Sequence, residues 1–202
     1  EVRGRNVTFC GAEGAEAAVY REMWANLGQG KPWNGQFTNR RKDGRDVICL
    51  TSVSRIGGTP ADTRIVATHT DITEKKMAEA QLLLRERALE SSGNGIVISD
   101  MTLPNQPLIY ANPAFERITG FSPYEVIGRN CRFLQGLDGD QPALEELRVA
   151  IAASQPCTVV LRNYRKDGTP FWNELSIAPV LDGNGRATHY VGVQNDISER
   201  ME

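Results

Sequence analysis

A chain of 202 residues with 40% apolar and 24% charged side chains holds enough apolar material for one or two packed domains. Its 23 basic and 25 acidic residues leave a formal charge of -2, which predicts no basic surface for nucleic acid or an acidic membrane. No apolar run approaches the roughly 20 residues that cross a bilayer, so the expectation is a cytoplasmic protein with neither a nucleic-acid nor a membrane partner.

Cys10, Cys49, Cys131 and Cys157 show no CxxC spacing, and His69 and His189 lie far from Cys131 in sequence. That argues against zinc and against a disulfide framework, leaving each Cys as a small buried hydrophobe or a reactive thiol.

From the N-terminus, Glu1-Val2-Arg3-Gly4-Arg5-Asn6 echoes Glu125-Val126-Ile127-Gly128-Arg129-Asn130, and Arg41-Lys42-Asp43-Gly44 echoes Arg165-Lys166-Asp167-Gly168, both displaced by 124 positions. Asp71-Ile72-Thr73 then echoes Asp196-Ile197-Ser198. Two copies of one fold are therefore expected, the first beginning where the second is already in its middle. Residues 1–72 read as the C-terminal half of that fold. Val7 stands where Cys131 stands, and Cys49 and His69 stand near where Asn173 and Gln194 stand; among the amides only Asn39 has a counterpart, Asn163.

Residues 73–91 read as a helical linker, since Glu74 to Glu90 is rich in strong helix formers and lacks Gly and Pro. Met77, Ala80 and Leu84 follow one heptad seam and Ala78, Leu82 and Leu89 another, which suits a coiled coil. Short strands are predicted over 95–100 and 108–111. Asn112-Pro113, Ser122-Pro123 and Gln141-Pro142 each give the cap-then-Pro start of a helix, the last running to Ala153. Strands at 157–165, 169–181 and 187–196 follow, joined by turns at Lys166-Asp167-Gly168 and Asp182-Gly183-Asn184-Gly185. This is an α+β arrangement, an antiparallel sheet with helices on one side.

Strand parity puts Val159, Leu161 and Asn163 on one face, with Phe171, Asn173, Leu175 and Ile177 and with Tyr190, Gly192 and Gln194. If that face packs against the helices, its three amides need partners, because an unpaired buried polar group costs roughly 1–3 kcal/mol. They pair among themselves, or they hold a flat polar heterocycle, which Gly192 would let approach the backbone closely. The opposite face carries Val160, Trp172, Val191 and Val193, an apolar patch suited to a helix or a second subunit.

Gly128-Arg129-Asn130-Cys131-Arg132-Phe133-Leu134-Gln135-Gly136 is the most specific stretch, and it resembles the signature of the light-oxygen-voltage (LOV) blue-light photosensors of the PAS superfamily. The resemblance covers residues 92–198 and implies a PAS/LOV fold around a flavin pocket, with residues 1–72 a partial PAS domain lacking the flavin signature. The implied cofactor is FMN, with FAD or riboflavin as variants. Asn163, Asn173 and Gln194 fall where the family places ring-binding amides, and Asn130 and Gln135 resemble contacts to the ring and ribityl chain. Arg132 and Arg148 look like the phosphate-holding pair, a role that suits guanidinium. Val97, Ser99, Leu134, Leu144, Leu147, Ile151, Leu175, Ile177, Tyr190 and Gly192 match pocket positions. Leu175 and Tyr190 replace frequent Phe, and Gln106 replaces a frequent Asn.

The implied chemistry is reversible bonding of the Cys131 sulfur to flavin C4a under blue light, with N5 protonated and the Gln194 amide rotating in response. The resemblance thus implies a sensor module rather than an enzyme. The signal would pass through the 73–91 linker, or a C-terminal helix starting at 197–202, to an effector domain outside the chain. A homodimer through the linker or the outer sheet face is expected, as is a Glu125–Lys166 ion pair. The alternative is a PAS-type redox or small-ligand sensor.

Overall fold

The computed structural model describes residues 17–57 and 64–201, so Val7 and Cys10 lie outside the described residues. Its chain divides into two compact units, residues 1–83 and 84–202.

In the first unit α1 (Ala17–Gly28) precedes three antiparallel strands, β1 (Trp33–Arg40), β2 (Asp46–Ile56) and β3 (Arg64–Asp71), in the order β1-β2-β3. Met23 and Leu27, one turn apart on α1, pack with Trp33, Phe37 and Val53. The ring of Phe37 lies 4.7 Å from Tyr20 and 5.0 Å from Trp33, so aromatic side chains fill the space between helix and sheet.

Helix α2 (Thr73–Glu90) follows and carries the chain from the first unit into the second. It has no buried residue, and Met77, Leu82, Leu83, Leu84 and Leu89 are exposed along it.

The second unit runs β4 (Gly95–Asp100), β5 (Leu108–Ala111), α3 (Pro113–Thr119) and α4 (Pro123–Val126), then a 3-10 turn, Cys131–Gln135. It closes with α5 (Pro142–Ala152), β6 (Cys157–Tyr164), β7 (Pro170–Leu181), β8 (Ala187–Asp196) and α6 (Ser198–Met201). The five strands form one sheet of order β5-β4-β8-β7-β6, with every neighbouring pair antiparallel. The last strand in sequence is therefore the central one. Gly168 and Gly185 turn the two hairpins at φ of 86° and 78°, a left-handed conformation that a Cβ disfavours.

Burial follows the parity expected from sequence: on β6 Val159, Leu161 and Asn163 are buried, while Thr158, Val160 and Arg162 are exposed. On the outer face Val160 and Trp172 are exposed and Val191 and Val193 half-buried, so the expected apolar patch is present in diluted form.

Asn112 was expected only to cap a helix, and it does more. Its Oδ1 accepts from the N–H of Phe115 at 3.0 Å and of Ile96 at 2.8 Å, and its Nδ2 donates to the carbonyls of Leu89 and Asn94, both at 3.0 Å. Fully buried, this side chain joins the end of α2, strand β4 and the start of α3 with all of its bonding capacity used.

The described elements of the first unit ahead of α2 repeat the later part of the second, α1-β1-β2-β3 against α5-β6-β7-β8. They also share a hook at the end of the last strand. In the first unit Thr73 N donates to Asp71 Oδ1 at 2.9 Å, Thr73 Oγ1 accepts from Ile48 N at 2.9 Å, and Arg41 pairs with Asp71. In the second, Ser198 N donates to Asp196 Oδ1 at 3.0 Å, Ser198 Oγ accepts from Trp172 N at 2.9 Å, and Arg165 pairs with Asp196 at 2.6 Å. Lys166 Nζ lies 2.5 Å from Glu125 Oε1, the ion pair expected from sequence.

Candidate ligand site

A cavity of about 290 Å³ lies between the inner face of the five-stranded sheet and the helical middle of the second unit. Sheet residues Val97, Ser99, Asn163, Asn173, Leu175, Ile177, Tyr190, Gly192 and Gln194 form one side. Asn130, Cys131, Arg132, Leu134 and Gln135 come from the 3-10 turn and its cap, and Leu144, Leu147, Arg148 and Ile151 from α5. Every residue expected at the site from sequence thus borders one space. Met101, Gln106, Leu108 and Leu161 border it as well. Leu161 was placed on the right face by parity but not assigned to the site, and Met101 and Leu108 carried no motif.

The polarity of the amides is set by a backbone carbonyl. Arg162 O can only accept, so the Asn163 group facing it at 3.2 Å is the Nδ2 amine, and Asn163 Oδ1 is left to accept Asn173 Nδ2 at 2.8 Å. Asn173 Oδ1 is then buried without a partner, and so is Gln194 Oε1. Pairing among the amides is real but incomplete: two buried acceptors remain, each a place for a ligand N–H.

Gln194 Nε2 donates to Cys131 Sγ at 3.6 Å, so the thiol sits beside one of these acceptors. Burial pushes the Cys131 thiol up to about 11, against a smaller opposing effect of the Gln194 bond. It is therefore a neutral S–H at physiological pH, a weak nucleophile in the absence of an activated partner. A Cβ added at Gly192 would lie 3.0 Å from Val97 Cγ2, so glycine keeps this part of the wall thin.

Not every expected residue is aimed at the cavity alone. Asn130 Oδ1 caps the 3-10 turn at Arg132 N, 3.0 Å away, while its Nδ2 donates to Asn105 O at 2.7 Å. Arg148 pairs with Glu145 at 3.0 Å, whereas Arg132 donates to the neutral Asn105 Oδ1 at 2.9 Å and has no acidic partner among the described residues. Tyr190 donates its hydroxyl to the carbonyls of Gln155 at 3.3 Å and Ala150 at 3.4 Å, which ties the end of α5 to β8.

An antiparallel sheet whose inner face, with the helices beside it, encloses a polar-edged cavity is an arrangement suited to a small molecule. The PAS domain model matches residues 1–74 and again 93–199. A solved structure described as "Flavin Analogue Sheds Light on Light-Oxygen-Voltage Domain Mechanism" is 46% identical, covers 57% of this chain and 85% of its own, and superposes with a TM-score of 0.53. The bacterioopsin transcriptional activator of Halobacterium salinarum is 47% identical over 139 residues, 66% of this chain and 21% of that protein. A blue-light-activated histidine kinase of Brucella canis is 43% identical over 111 residues, 55% of this chain and 23% of that kinase. The chain belongs to the PAS domain family, and its second unit is a PAS domain of the light-oxygen-voltage class. It spans less than a quarter of the length of either curated relative.

Proposed function

We propose that the second unit binds a flavin and serves as a blue-light sensor. The observation that carries this reading is the pair of buried, unpartnered carbonyl oxygens, Asn173 Oδ1 and Gln194 Oε1, facing a cavity that also holds the Cys131 thiol. A flavin ring fits these groups, since it offers an N–H to an acceptor such as Asn173 Oδ1 and an apolar end to Leu134, Leu144 and Ile177. A bound flavin would supply absorption of blue light and a ring position electrophilic toward the Cys131 thiol, whose sulfur and proton the ring would take up together and return in the dark.

The chain's own residues do the rest. Cys131 stays protonated until illumination because burial holds its pKa near 11, which suppresses thiolate chemistry in the dark and argues against the redox-sensor reading. Gln194 touches the thiol and lies on the central strand, so a change in what its amide bonds to reaches both neighbouring strands, through Gly95 on β4 and Leu175 on β7. Arg132 supplies a guanidinium for the terminal phosphate, joined by Arg148 once it leaves Glu145, which favours FMN over riboflavin.

Asn112 then offers a mechanical link, because it grips Ile96 on β4 and Leu89 on α2 at once. We infer that α2 carries the signal toward an effector outside residues 1–202, and that its exposed leucines favour pairing with a second copy. In this reading the first unit is a PAS half that does not hold flavin in this manner, and the module is a sensor rather than a catalyst.

The test is the absorption spectrum of purified, FMN-supplied protein before and after blue light. Structured blue absorption that bleaches and recovers in the dark supports the proposal. Colourless protein contradicts flavin binding, and colour that never bleaches contradicts the thiol chemistry.

A further inference from the structure

The segment 136–141 joins the 3-10 turn, which carries Cys131, Leu134 and Gln135, to α5, which carries Leu144, Leu147, Arg148 and Ile151. It therefore connects two walls of the cavity. Apolar packing does little to hold it, since Leu137 is fully exposed. Its attachment to β6 is polar and runs through two residues. Asp138 Oδ2 accepts from Arg162 Nε and from the Tyr164 hydroxyl, both at 2.6 Å. Gln141 clamps the Arg162 peptide from both sides, its Oε1 accepting from Arg162 N at 2.7 Å and its Nε2 donating to Arg162 O at 2.9 Å. Beneath them the Tyr164 ring lies against Gly136, where a Cβ would come within 2.9 Å of the ring.

Arg162 and Tyr164 flank Asn163, whose amide reaches into the cavity and hydrogen-bonds that same Arg162 carbonyl. The outside of the wall and its polar lining are thus one connected network. Charge-assisted bonds of this length are strong but local, and a segment held mainly by a few of them opens as a unit when they are broken.

We propose that Asp138 is the positioning residue of a latch: by bolting segment 136–141 to β6 it keeps the cavity wall shut, and opening of this segment sets the rate at which ligand is taken up and released. The inference rests on the reading of the site as a flavin site. It has a kinetic signature that a simple ligand contact lacks. Opening is a barrier crossed in both directions, so weakening the latch speeds association and dissociation together and leaves the dissociation constant nearly unchanged. Losing a contact speeds dissociation alone.

The experiment uses the full chain, with FMN binding followed by flavin fluorescence quenching and FMN release followed after mixing with an excess of a scavenging apoflavoprotein. For Asp138→Asn both rate constants are expected to rise about 5-fold with the dissociation constant held within about 2-fold. Tyr164→Phe, which keeps the ring over Gly136 and removes only the hydroxyl, is expected to raise both about 2-fold. FMN binding in which the variants change only the dissociation rate, or neither rate, would overturn the latch while leaving the flavin reading intact. A wild-type chain that takes up no FMN would overturn the flavin reading and the latch with it.

Discussion

The two units end alike and are filled differently. Each closes its last strand with an aspartate that caps the next residues and pairs with an arginine, Arg41–Asp71 in the first and Arg165–Asp196 in the second. Inside, the first unit places Met23, Leu27 and Phe37 where the second places Leu147, Ile151 and Leu161, and the added bulk of Trp33 and Tyr20 packs around Phe37. Its polar pair on the facing strands is satisfied internally, with Thr51 Oγ1 2.8 Å from His69 Nδ1. At the matching rung of the second unit, Leu175 faces Gln194, whose carbonyl has no partner. The same ladder thus yields an aromatic-filled core in one case and a cavity with unspent acceptors in the other. What distinguishes the two interiors is which inward-facing side chains are left incomplete.

The strongest way to break that comparison is to give the second unit the inward residues of the first. Asn173→Cys with Gln194→His removes both free carbonyl oxygens, each worth roughly 1–3 kcal/mol when buried. The affinity of apo-protein for FMN, followed by titration, is expected to fall about 100-fold; an unchanged affinity would show that these oxygens do not hold the ligand.

A second contrast concerns what the sheets lean on. Strand β4 and helix α3 have no counterpart among the described residues of the first unit, and Asn112 binds them together. Asn112→Ala leaves the N–H groups of Ile96 and Phe115 and two carbonyls without that partner, so urea unfolding of the second unit is expected to lose about 3 kcal/mol. A loss below about 1 kcal/mol would mean that water replaces the side chain.

Gly192→Ala narrows the cavity without removing a polar group. Val97 must yield by a few tenths of an ångström, and FMN affinity is expected to drop by about 5-fold, in keeping with mild overpacking.

The smallest effect is electrostatic and sits at the surface. The Lys166 ammonium, aided by the backbone and hydroxyl of Ser122, holds the Glu125 carboxyl down at about 2 from its ordinary 4.5. A lowered folded-state value means that the stability it contributes is present above pH 4.5 and fades as pH falls through about 2. Glu125→Gln should therefore lower the unfolding midpoint slightly near neutrality, because the pair is exposed, and the two midpoints should converge as pH falls through about 2.

Most of this architecture could be read from the chain. Strand parity set Asn163, Asn173 and Gln194 on one buried face, and the Asp-Gly turns fixed the hairpins that keep them in register. The candidate site was legible for the same reason, because the residues that border the cavity fall on regular strands, on the motif around Cys131 and on one helix. What could not be read depends on contacts between distant segments. Asn112 looks like any helix cap until Leu89 and Ile96 arrive beside it, and Asp138 looks like a turn residue until Arg162 and Tyr164 meet it. The arginines show the limit from the other side, since sequence offered Arg132 and Arg148 as equals and only the fold shows Arg148 engaged by Glu145. Whether the three amides would satisfy one another was also undecidable, as it turns on the carbonyl of Arg162.

The most direct measurement compares wild type with Cys131→Ala, both carrying FMN, by absorption during and after blue illumination. The account predicts equal dark spectra, reversible bleaching in the wild type and none in the variant. A variant that bleaches and recovers as the wild type does would contradict it.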